Sequence, residues 1–341
     1  MLIIELSNTL EAGSLNMTKR INIIDADTIA FAAAAQAQQT SIIATAPSGY
    51  SKEFKNITEL KSIMKNKGTI ELLPEIKIEI KIVPDPVEFA LNNVKRKLEK
   101  IAEAVQADMT IIVLGGKAIY RQSLPLPSPY KNNRADKPIY LTDCKDYMVK
   151  YKGAYVVDTI ETDDEVTILA EEYKAKNWDV VLSSPDHDSF QLHGITLFNY
   201  KEEDLNKSFV SLWDHRFEVI KKGTYNKSVG SGVGYLAGQL LYGDPTDTYN
   251  PTELAGIKYG MMSALKDLSN CNQPKDFLEV VKCKYKEWYN EPISYTAWDG
   301  TKHIKDWKEI LQMYFKCAYM LRSRDDEANV EEFYKSYGVT L

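Results

Sequence analysis

Short apolar runs that end in aspartate recur along this chain, and they constrain its fold more than any other feature. Residues 20–24 lead directly into Asp25, and residues 179–184 lead into Asp186 and Asp188. Each run has the length and composition of a buried strand, and helical patterns alternate with these runs. The alternation predicts an α/β fold with three α/β/α layers around a mainly parallel sheet, followed by a helical C-terminal region.

A third acidic group is denser, because residues 160–165 read Ile-Glu-Thr-Asp-Asp-Glu between an apolar run and a helical pattern. Thr162 and Glu165 have the spacing of a capping box, and acids in the first turn of a helix complement its dipole. Helix caps are commoner than metal sites. Repetition nevertheless favours a metal site, since a fourth pair, Asp244 and Asp247, follows another predicted helix.

The acidic groups are expected to converge, because parallel strands end at one edge of a sheet and open α/β folds place their sites there. Like charges raise each other's pKa, and divalent cations relieve that repulsion. Oxygen ligands without sulfur or imidazole suit Mg²⁺ or Mn²⁺, and two such ions are a standard device for phosphodiester hydrolysis. The groups are Asp25 with Asp27, Glu161 with Asp163 and Asp164, Asp186 with Asp188, and Asp244 with Asp247.

A basic, proline-containing segment runs from Lys117 to Lys137 and carries Lys131, Arg134, Tyr120 and Tyr130. A solvated loop is the ordinary explanation of this composition. The functional explanation is an arm that contacts phosphates, with a tyrosine available to stack on a base. The net charge of −6 does not exclude nucleic acid, because cations bound in a metal site offset clustered acids.

We divide the chain into an N-terminal extension (1–19), an α/β catalytic domain (20–225) and a helical DNA-binding region (226–341) packed on it. The catalytic domain contains an insertion at about 36–85 and the basic arm at about 117–150. Within the insertion, isoleucines alternate with charged residues and predict a half-exposed strand. The four scattered cysteines predict reduced thiols in a cytoplasmic protein, and no apolar stretch approaches the roughly 18 residues of a membrane helix.

In their order and residue identities, these motifs resemble those of the 5′ nuclease superfamily. Its members have a PIN-like fold and include flap endonucleases and bacteriophage 5′–3′ exonucleases. The resemblance covers about residues 20–268 and is closer to the bacteriophage exonucleases. Five family elements have counterparts here: the aspartate after the first strand (Asp25), Tyr-Lys-x-x-Arg (130–134), Glu-x-Asp-Asp (161–164), Asp-x-Asp (186–188) and Gly-Asp-x-x-Asp (243–247).

The resemblance implies an Mg²⁺-dependent hydrolase, with Mn²⁺ as a substitute, that cuts DNA at 5′ ends, flaps or nicks, or in an RNA–DNA hybrid. It implies a role in bacteriophage DNA replication in the host cytoplasm. One ion would be held by acids like Asp25, Glu161, Asp163 and Asp186, and the second by Asp188, Asp244 and Asp247, with Asp164 in the same acidic set. Lys131 and Arg134 would be catalytic, beside the scissile phosphate. The residues expected to contact DNA are Arg121, Tyr130, Gly256 and Lys258.

Two departures from the family pattern stand out. Gly116 occupies a position where many members carry an aspartate, and residues 254–260 match only a reduced helix–hairpin–helix. The Gly116 departure invites a non-enzymatic interpretation, a protein that binds DNA structures through a degenerate site. Retention of the other acids opposes it, because clusters of carboxylates without a purpose are costly.

Two other enzyme classes remain open. In a haloacid-dehalogenase-type phosphatase, Asp25 would be the nucleophile, but Glu161, Asp163 and the basic arm would have no role. A PIN-type ribonuclease would usually be shorter and lack the helical region. A phospho-aspartyl intermediate would identify the phosphatase, and cleavage of RNA without DNA would identify the ribonuclease.

Overall fold

A computed structural model describes residues 18–116, 120–132 and 136–341. Most of the predicted N-terminal extension (1–17), Lys117 and Arg134 lie outside the described residues. The chain divides into two compact units. The first consists of Met1–Thr28, Ile101–Ala135 and Gly153–Leu341, and the second of Ile29–Lys100 and Asp136–Lys152.

The strands are numbered in chain order. They are β1 (Arg20–Asp25), β2 (Gln38–Thr45), β3 (Ser51–Phe54), β4 (Lys77–Pro84), β5 (Met109–Gly115), β6 (Tyr155–Val157), β7 (Asp179–Ser183), β8 (Ile195–Phe198), β9 (Phe209–Leu212), β10 (Arg216–Lys222), β11 (Tyr225–Ser231), β12 (Ile293–Thr296) and β13 (Lys302–Lys305).

The α-helices are α1 (Asp27–Gln36), α2 (Ile57–Asn66), α3 (Val87–Val105), α4 (Leu141–Lys152), α5 (Thr162–Ala175), α6 (Leu205–Ser208), α7 (Gly232–Tyr242), α8 (Met261–Leu268), α9 (Pro274–Trp288), α10 (Trp307–Ala318) and α11 (Val330–Ser336). Short 3-10 turns span Ile70–Glu75, Tyr120–Ser123 and Asp188–Gln191. None of the helices in the described ranges is long and apolar enough to cross a membrane.

The first unit contains a six-stranded sheet in the order β6-β5-β1-β7-β8-β9. All neighbouring strands are parallel except β9, which runs antiparallel to β8. The predicted mixed α/β fold with a mainly parallel sheet is therefore confirmed. β1 lies in the middle, and its isoleucines Ile21, Ile23 and Ile24 are buried, as β-branched residues of a central strand should be. The strands β6, β5, β1 and β7 consequently end at one edge.

Helices of the C-terminal third share one hydrophobic core with this sheet. Leu236 and Leu240 of α7 are wholly buried in the same cluster as Ile23 of β1 and Phe277 of α9. α7 packs against α8, α9 and α10. The sequence pattern predicted these helices but not the hairpin of β12 and β13, whose strands are only four residues long. The carboxylate-bearing edge and the C-terminal helices thus belong to one folded unit.

The second unit has its own antiparallel sheet, in the order β3-β2-β4, over which α2 packs. Its small core joins Ile42 and Ala44 of β2 to Leu60 and Met64 of α2. This sheet lies within residues 36–85, where the alternating isoleucines of β4 form a strand as predicted. The predicted half-exposure is wrong, because all eight residues of β4 are exposed at the edge of the sheet. The helix α4 falls within the segment expected to be a basic arm, and the sequence analysis did not predict it.

Candidate active site

The acidic groups singled out in the sequence follow the ends of the parallel strands. Asp25 is the last residue of β1 and is buried, while Asp186 and Asp188 follow β7 directly. Glu161 is the N-cap residue of α5, which begins shortly after β6. The predicted capping box at Thr162 is wrong, because the Thr162 hydroxyl donates a hydrogen bond to the Asp27 carboxylate instead.

A glycine turn positions the fourth acidic group. α7 ends at Gly243, which has φ +81°, a left-handed conformation that glycine adopts without strain. A Cβ at this position would come within 2.3 Å of the Tyr249 carbonyl oxygen. Asp244 and Tyr249 then exchange two backbone hydrogen bonds of 3.1 and 3.2 Å, which close a loop that presents Asp244 and Asp247. The Gly-Asp-x-x-Asp motif therefore lies in a loop that these two hydrogen bonds close.

Three acids, Glu161, Asp164 and Asp247, lie among buried cations and are called here the paired acids. The Arg121 guanidinium is wholly buried and donates two hydrogen bonds, of 2.7 and 2.8 Å, to the two carboxylate oxygens of Asp164. It also forms an ion pair with Glu161. The Lys131 Nζ lies 2.6 Å from Glu161 Oε1 and 3.6 Å from Asp247 Oδ2. These acids therefore already have their counter-charges.

Backbone groups at the end of α10 and just after it satisfy the remaining hydrogen bonds of Arg121 and Asp164. Arg121 donates from Nε to the carbonyl oxygen of Lys316 (3.1 Å) and from Nη2 to that of Tyr319 (2.7 Å). The backbone N–H of Leu321 donates to Asp164 Oδ1 (3.1 Å). A buried ion pair is tolerated only when its remaining donors and acceptors are satisfied in this way. Burial raises the pKa of Glu161, but the charges of Arg121 and Lys131 outweigh it and lower that pKa overall.

These positions correct three expectations. Arg121 has no exposed surface, so in this structure it does not reach a DNA phosphate. Tyr130 is 4 % exposed and its hydroxyl donates to the Asp247 carboxylate, so its ring does not face outward to stack on a base. Asp164 is wholly buried with both oxygens engaged by Arg121, which leaves it a structural partner rather than a metal ligand.

The other acids, called here the uncompensated acids, are Asp25, Asp163, Asp186, Asp188 and Asp244. Within the described ranges, no lysine or arginine forms an ion pair with any of them. Burial, followed by the charges of Asp27 and Asp186, raises the pKa of Asp25 to about 7. Burial also raises the pKa values of Asp163 and Asp188 well above the usual range, with Asp186 the largest charge acting on each. The uncompensated acids therefore repel one another, although their exposure ranges from the buried Asp25 to the exposed Asp186.

Neutral donors hold the uncompensated acids in position. Asp25 accepts hydrogen bonds from the Asp27 backbone N–H and the Ser184 hydroxyl, both of 3.2 Å. Asp188 accepts one from the buried amide of Gln239, which in turn accepts from Gln191 at 3.4 Å. Sequence reasoning missed Gln239, since a glutamine in an apolar helix carries no motif of its own. Neutral donors orient the carboxylates without cancelling their charge.

The donor chemistry of the uncompensated acids fits Mg²⁺ or Mn²⁺, because every ligating atom on offer is a hard carboxylate oxygen. The mutual repulsion of these carboxylates is the condition that a divalent cation relieves. Their arrangement is not that of a closed site: across residues 18–116, 120–132 and 136–341, no group of three or more His, Cys, Asp or Glu side chains is placed to hold an ion.

Lys131 lies where the two sets of acids meet. Its Nζ is paired with Glu161 and Asp247, and its charge also acts on Asp163. Burial lowers the pKa of Lys131, but the surrounding carboxylates outweigh it and raise the pKa overall, so the side chain stays cationic. Its backbone has φ +57°, a left-handed conformation that is uncommon outside glycine, and its N–H donates to the Asp247 carbonyl oxygen (3.0 Å).

The remaining expected residues are spread around this centre. Gly256 and Lys258 are exposed in the loop before α8. Gly116 is exposed beside the Asp158 carboxylate, since a Cβ at Gly116 would come within 1.8 Å of Asp158 Oδ1. Any side chain at position 116 would therefore displace Asp158.

No protein-family model and no curated protein sequence matches the chain. Among solved structures, it is similar to bacteriophage T5 5′-exonuclease with bound zinc ions, at 13 % identity and a TM-score of 0.43 over 79 % of this chain and 86 % of that one. It is also similar to a variant of the bacteriophage T5 flap endonuclease in a pseudo-enzyme–product complex with DNA and metal ions. There the identity is 11 % and the TM-score 0.42, over 74 % of this chain and 75 % of that one. The activity of this chain is accordingly inferred from its own residues.

Proposed function

We propose that this protein is a metal-dependent 5′ nuclease that hydrolyses DNA phosphodiester bonds. One observation carries the proposal: carboxylates without counter-charges lie at the carboxyl edge of a parallel sheet, next to a buried lysine. Such acids are expected to recruit divalent cations, and carboxylate-bound cations are a standard device for phosphodiester hydrolysis. The order of the five sequence motifs supports the 5′ nuclease class in particular.

In this proposal, two Mg²⁺ or Mn²⁺ ions would be held by the uncompensated acids, with Glu161 and Asp247 at the border of the site. When bound, such ions would supply an activated water and offset the charge on the scissile phosphate. The protein's own contribution is the placement of Lys131. Because Glu161 and Asp247 fix its ammonium group, Lys131 can meet developing phosphate charge without reorganisation.

DNA contacts are proposed for the exposed parts of the chain. Lys258 offers a cation for a backbone phosphate, and Gly256 leaves the loop backbone accessible to one. Arg134, proposed as a second catalytic cation from its motif, lies outside the described residues. Arg121 and Tyr130 are not included, because both are buried within the paired acids.

A cleavage assay tests the class. The substrates are an end-labelled DNA duplex with a 5′ single-stranded flap, a blunt duplex, an RNA–DNA hybrid and a single-stranded RNA, each with Mg²⁺, Mn²⁺ or chelator. We expect metal-dependent cleavage of the DNA substrates at the flap or 5′ end, and the product lengths distinguish endonuclease from exonuclease action. Folded protein that cuts none of these substrates, or that cuts RNA alone, would refute the proposal.

A further inference from the structure

The edge strand of the second unit has an exposed apolar stripe. Among residues 18–116, 120–132 and 136–341, β4 pairs with β2 alone, so its other edge is a free edge of the described three-stranded sheet. Ile78, Ile80 and Ile82 are 38, 58 and 39 % exposed. Ile80 lies opposite Ile42, and Ile78 opposite Ala44, so the stripe is on the same face as the small core beneath α2. The apolar face therefore extends past its cover to the free edge.

The sequence of β4 is self-complementary when it is read antiparallel to itself. If Ile80 of one copy faces Ile80 of a second copy, Ile78 faces Ile82 of the other strand on the apolar face. On the opposite face Glu79 then lies across from Lys81 of the second copy, and Lys81 from its Glu79. The pairing extends over residues 77–83 of both strands and ends before Pro84, which has no N–H to donate.

Other alignments lose or shorten this match. A shift by one residue, in either direction, places at least two of the three isoleucines opposite a charged residue and turns the stripe to the wrong face. A shift that brings Glu79 opposite Glu79, or Lys81 opposite Lys81, sets like charges against each other. Parallel pairing in register does the same. Lysines on an edge strand normally deter association, but in this register Lys81 faces Glu79 of the second copy, while Lys77 faces Val83. The register centred on Ile78 also sets Lys77 against Glu79, but it spans only residues 77–79 of β4. Charge and length together therefore favour the register about Ile80.

The charges of β4 are available for this exchange. Lys81 Nζ lies 2.7 Å from Glu53 and Lys77 Nζ lies 2.6 Å from Glu79, and all four side chains are at least 43 % exposed. Ion pairs this exposed contribute little to stability within one chain. Re-pairing with a second copy therefore sacrifices little, while burial of isoleucine side chains from both copies provides the driving force.

We propose that two copies of this protein associate through antiparallel pairing of β4 about Ile80, which joins their three-stranded sheets into one six-stranded sheet. The partner is a second copy of this chain, because the charge pattern of β4 complements itself and the contact is isologous. This inference concerns the second unit and does not depend on the proposed nuclease activity.

Sedimentation and light scattering of the full chain over a range of concentrations test the proposal. We expect a concentration-dependent dimer with twice the mass of one chain. Glu79→Lys and Lys81→Glu should each weaken association at least about tenfold, since each creates two like-charge pairs in the symmetric contact. A one-to-one mixture of the two variants should associate again, because every like-charge pair becomes an opposite-charge pair. The double variant Glu79→Lys/Lys81→Glu should also recover.

Matched controls reverse the same charges elsewhere in the second unit. Glu71→Lys and Lys61→Glu, both at exposed positions outside β4, should leave the dimer unchanged. Circular dichroism of every variant verifies folding, and recovery in the mixture excludes misfolding directly. A wild-type chain that remains monomeric at its highest soluble concentration would overturn the proposal. So would a dimer that the single reversals do not weaken, or single variants that fail to associate when mixed.

Discussion

Two neighbouring carboxylates on the first turn of α5 have opposite surroundings. Asp164 is wholly buried against Arg121, whereas Asp163 faces Asp25 and Asp186, whose charges raise its pKa while that of Lys131 lowers it. The same contrast separates the paired acids from the uncompensated acids. A carboxylate with a buried counter-charge stabilises the fold, while one without it is available to an external cation. Acidic residues at one sheet edge can therefore differ in role, some stabilising the fold and others being available to bind a cation.

The largest expected effect comes from Asp163→Asn. Cleavage should fall to the background of the assay, because the variant removes a carboxylate proposed to hold the metal. The free energy of unfolding without divalent ions should stay equal or rise by up to about 1 kcal/mol, since a source of repulsion disappears. Urea unfolding and flap cleavage measure both quantities. Wild-type cleavage by this variant would remove Asp163 from the site.

Arg121→Leu tests the opposite side of the comparison. It leaves Asp164 without its buried counter-charge and Glu161 with Lys131 alone, and it should lower the free energy of unfolding by about 3–5 kcal/mol. Arg20→Leu is the control, since its ion pair with Asp179 is exposed and should be worth about 1 kcal/mol or less. Equal losses in urea unfolding for the two variants would contradict the division into paired and uncompensated acids.

Lys131 lies between the paired acids and the uncompensated acids, and its substitution tests whether it acts in catalysis or only in DNA binding. Lys131→Ala should lower kcat by about 10²–10³-fold with a smaller change in KM, because the ammonium group acts on developing phosphate charge. Lys131→Arg should retain part of the activity, since it keeps the charge. Single-turnover cleavage and DNA binding by fluorescence anisotropy separate the two effects. A pure binding defect would place Lys131 outside the reactive centre.

Metal addition should stabilise the wild-type chain without any DNA present. At an Mn²⁺ concentration about 100 times its dissociation constant, ligation by the native state adds about 2.7 kcal/mol to the free energy of unfolding. Asp188→Asn should lose most of this increment. Gln239→Leu, which removes only the neutral donor to Asp188, should lose less of it. Thermal unfolding with Mn²⁺ or chelator measures the increment, and its full retention in Asp188→Asn would contradict the assignment.

The smallest effect is expected at Tyr130. Tyr130→Phe removes the hydroxyl that donates to Asp247 and should cost about 0.5–1.5 kcal/mol of unfolding free energy, with little change in DNA affinity. The small change in affinity follows from the buried position of the ring. If DNA binding weakened tenfold or more while stability stayed constant, Tyr130 would be a DNA contact after all.

The sheet and its acidic edge could be predicted because that information is local. An apolar run followed by aspartate marks the end of β1 or β7 without reference to the rest of the chain. The division of the acids could not be predicted, since Arg121 finds Asp164 43 positions away and its backbone acceptor at Lys316 195 positions away. A basic residue in a motif has a known charge, but its burial depends on such distant contacts.

The short hairpin of β12 and β13 escaped prediction for a related reason. Four-residue strands give too few positions to reveal a period, and their placement is decided by packing. α4 was hidden within a segment interpreted through its charges and prolines, although the prolines precede the helix.

Backbone groups of Lys316, Tyr319 and Leu321 bind Arg121 and Asp164. The acidic site can therefore be completed only after these late residues have been synthesised. A chain made from its amino end presents Asp25 and the rest of the acidic edge to solvent long before residue 321 leaves the ribosome. Until then Arg121 and Asp164 lack the backbone groups that satisfy them. Nascent chains, and fragments cut before residue 316, therefore carry every acidic motif while the surroundings of those motifs remain unfinished.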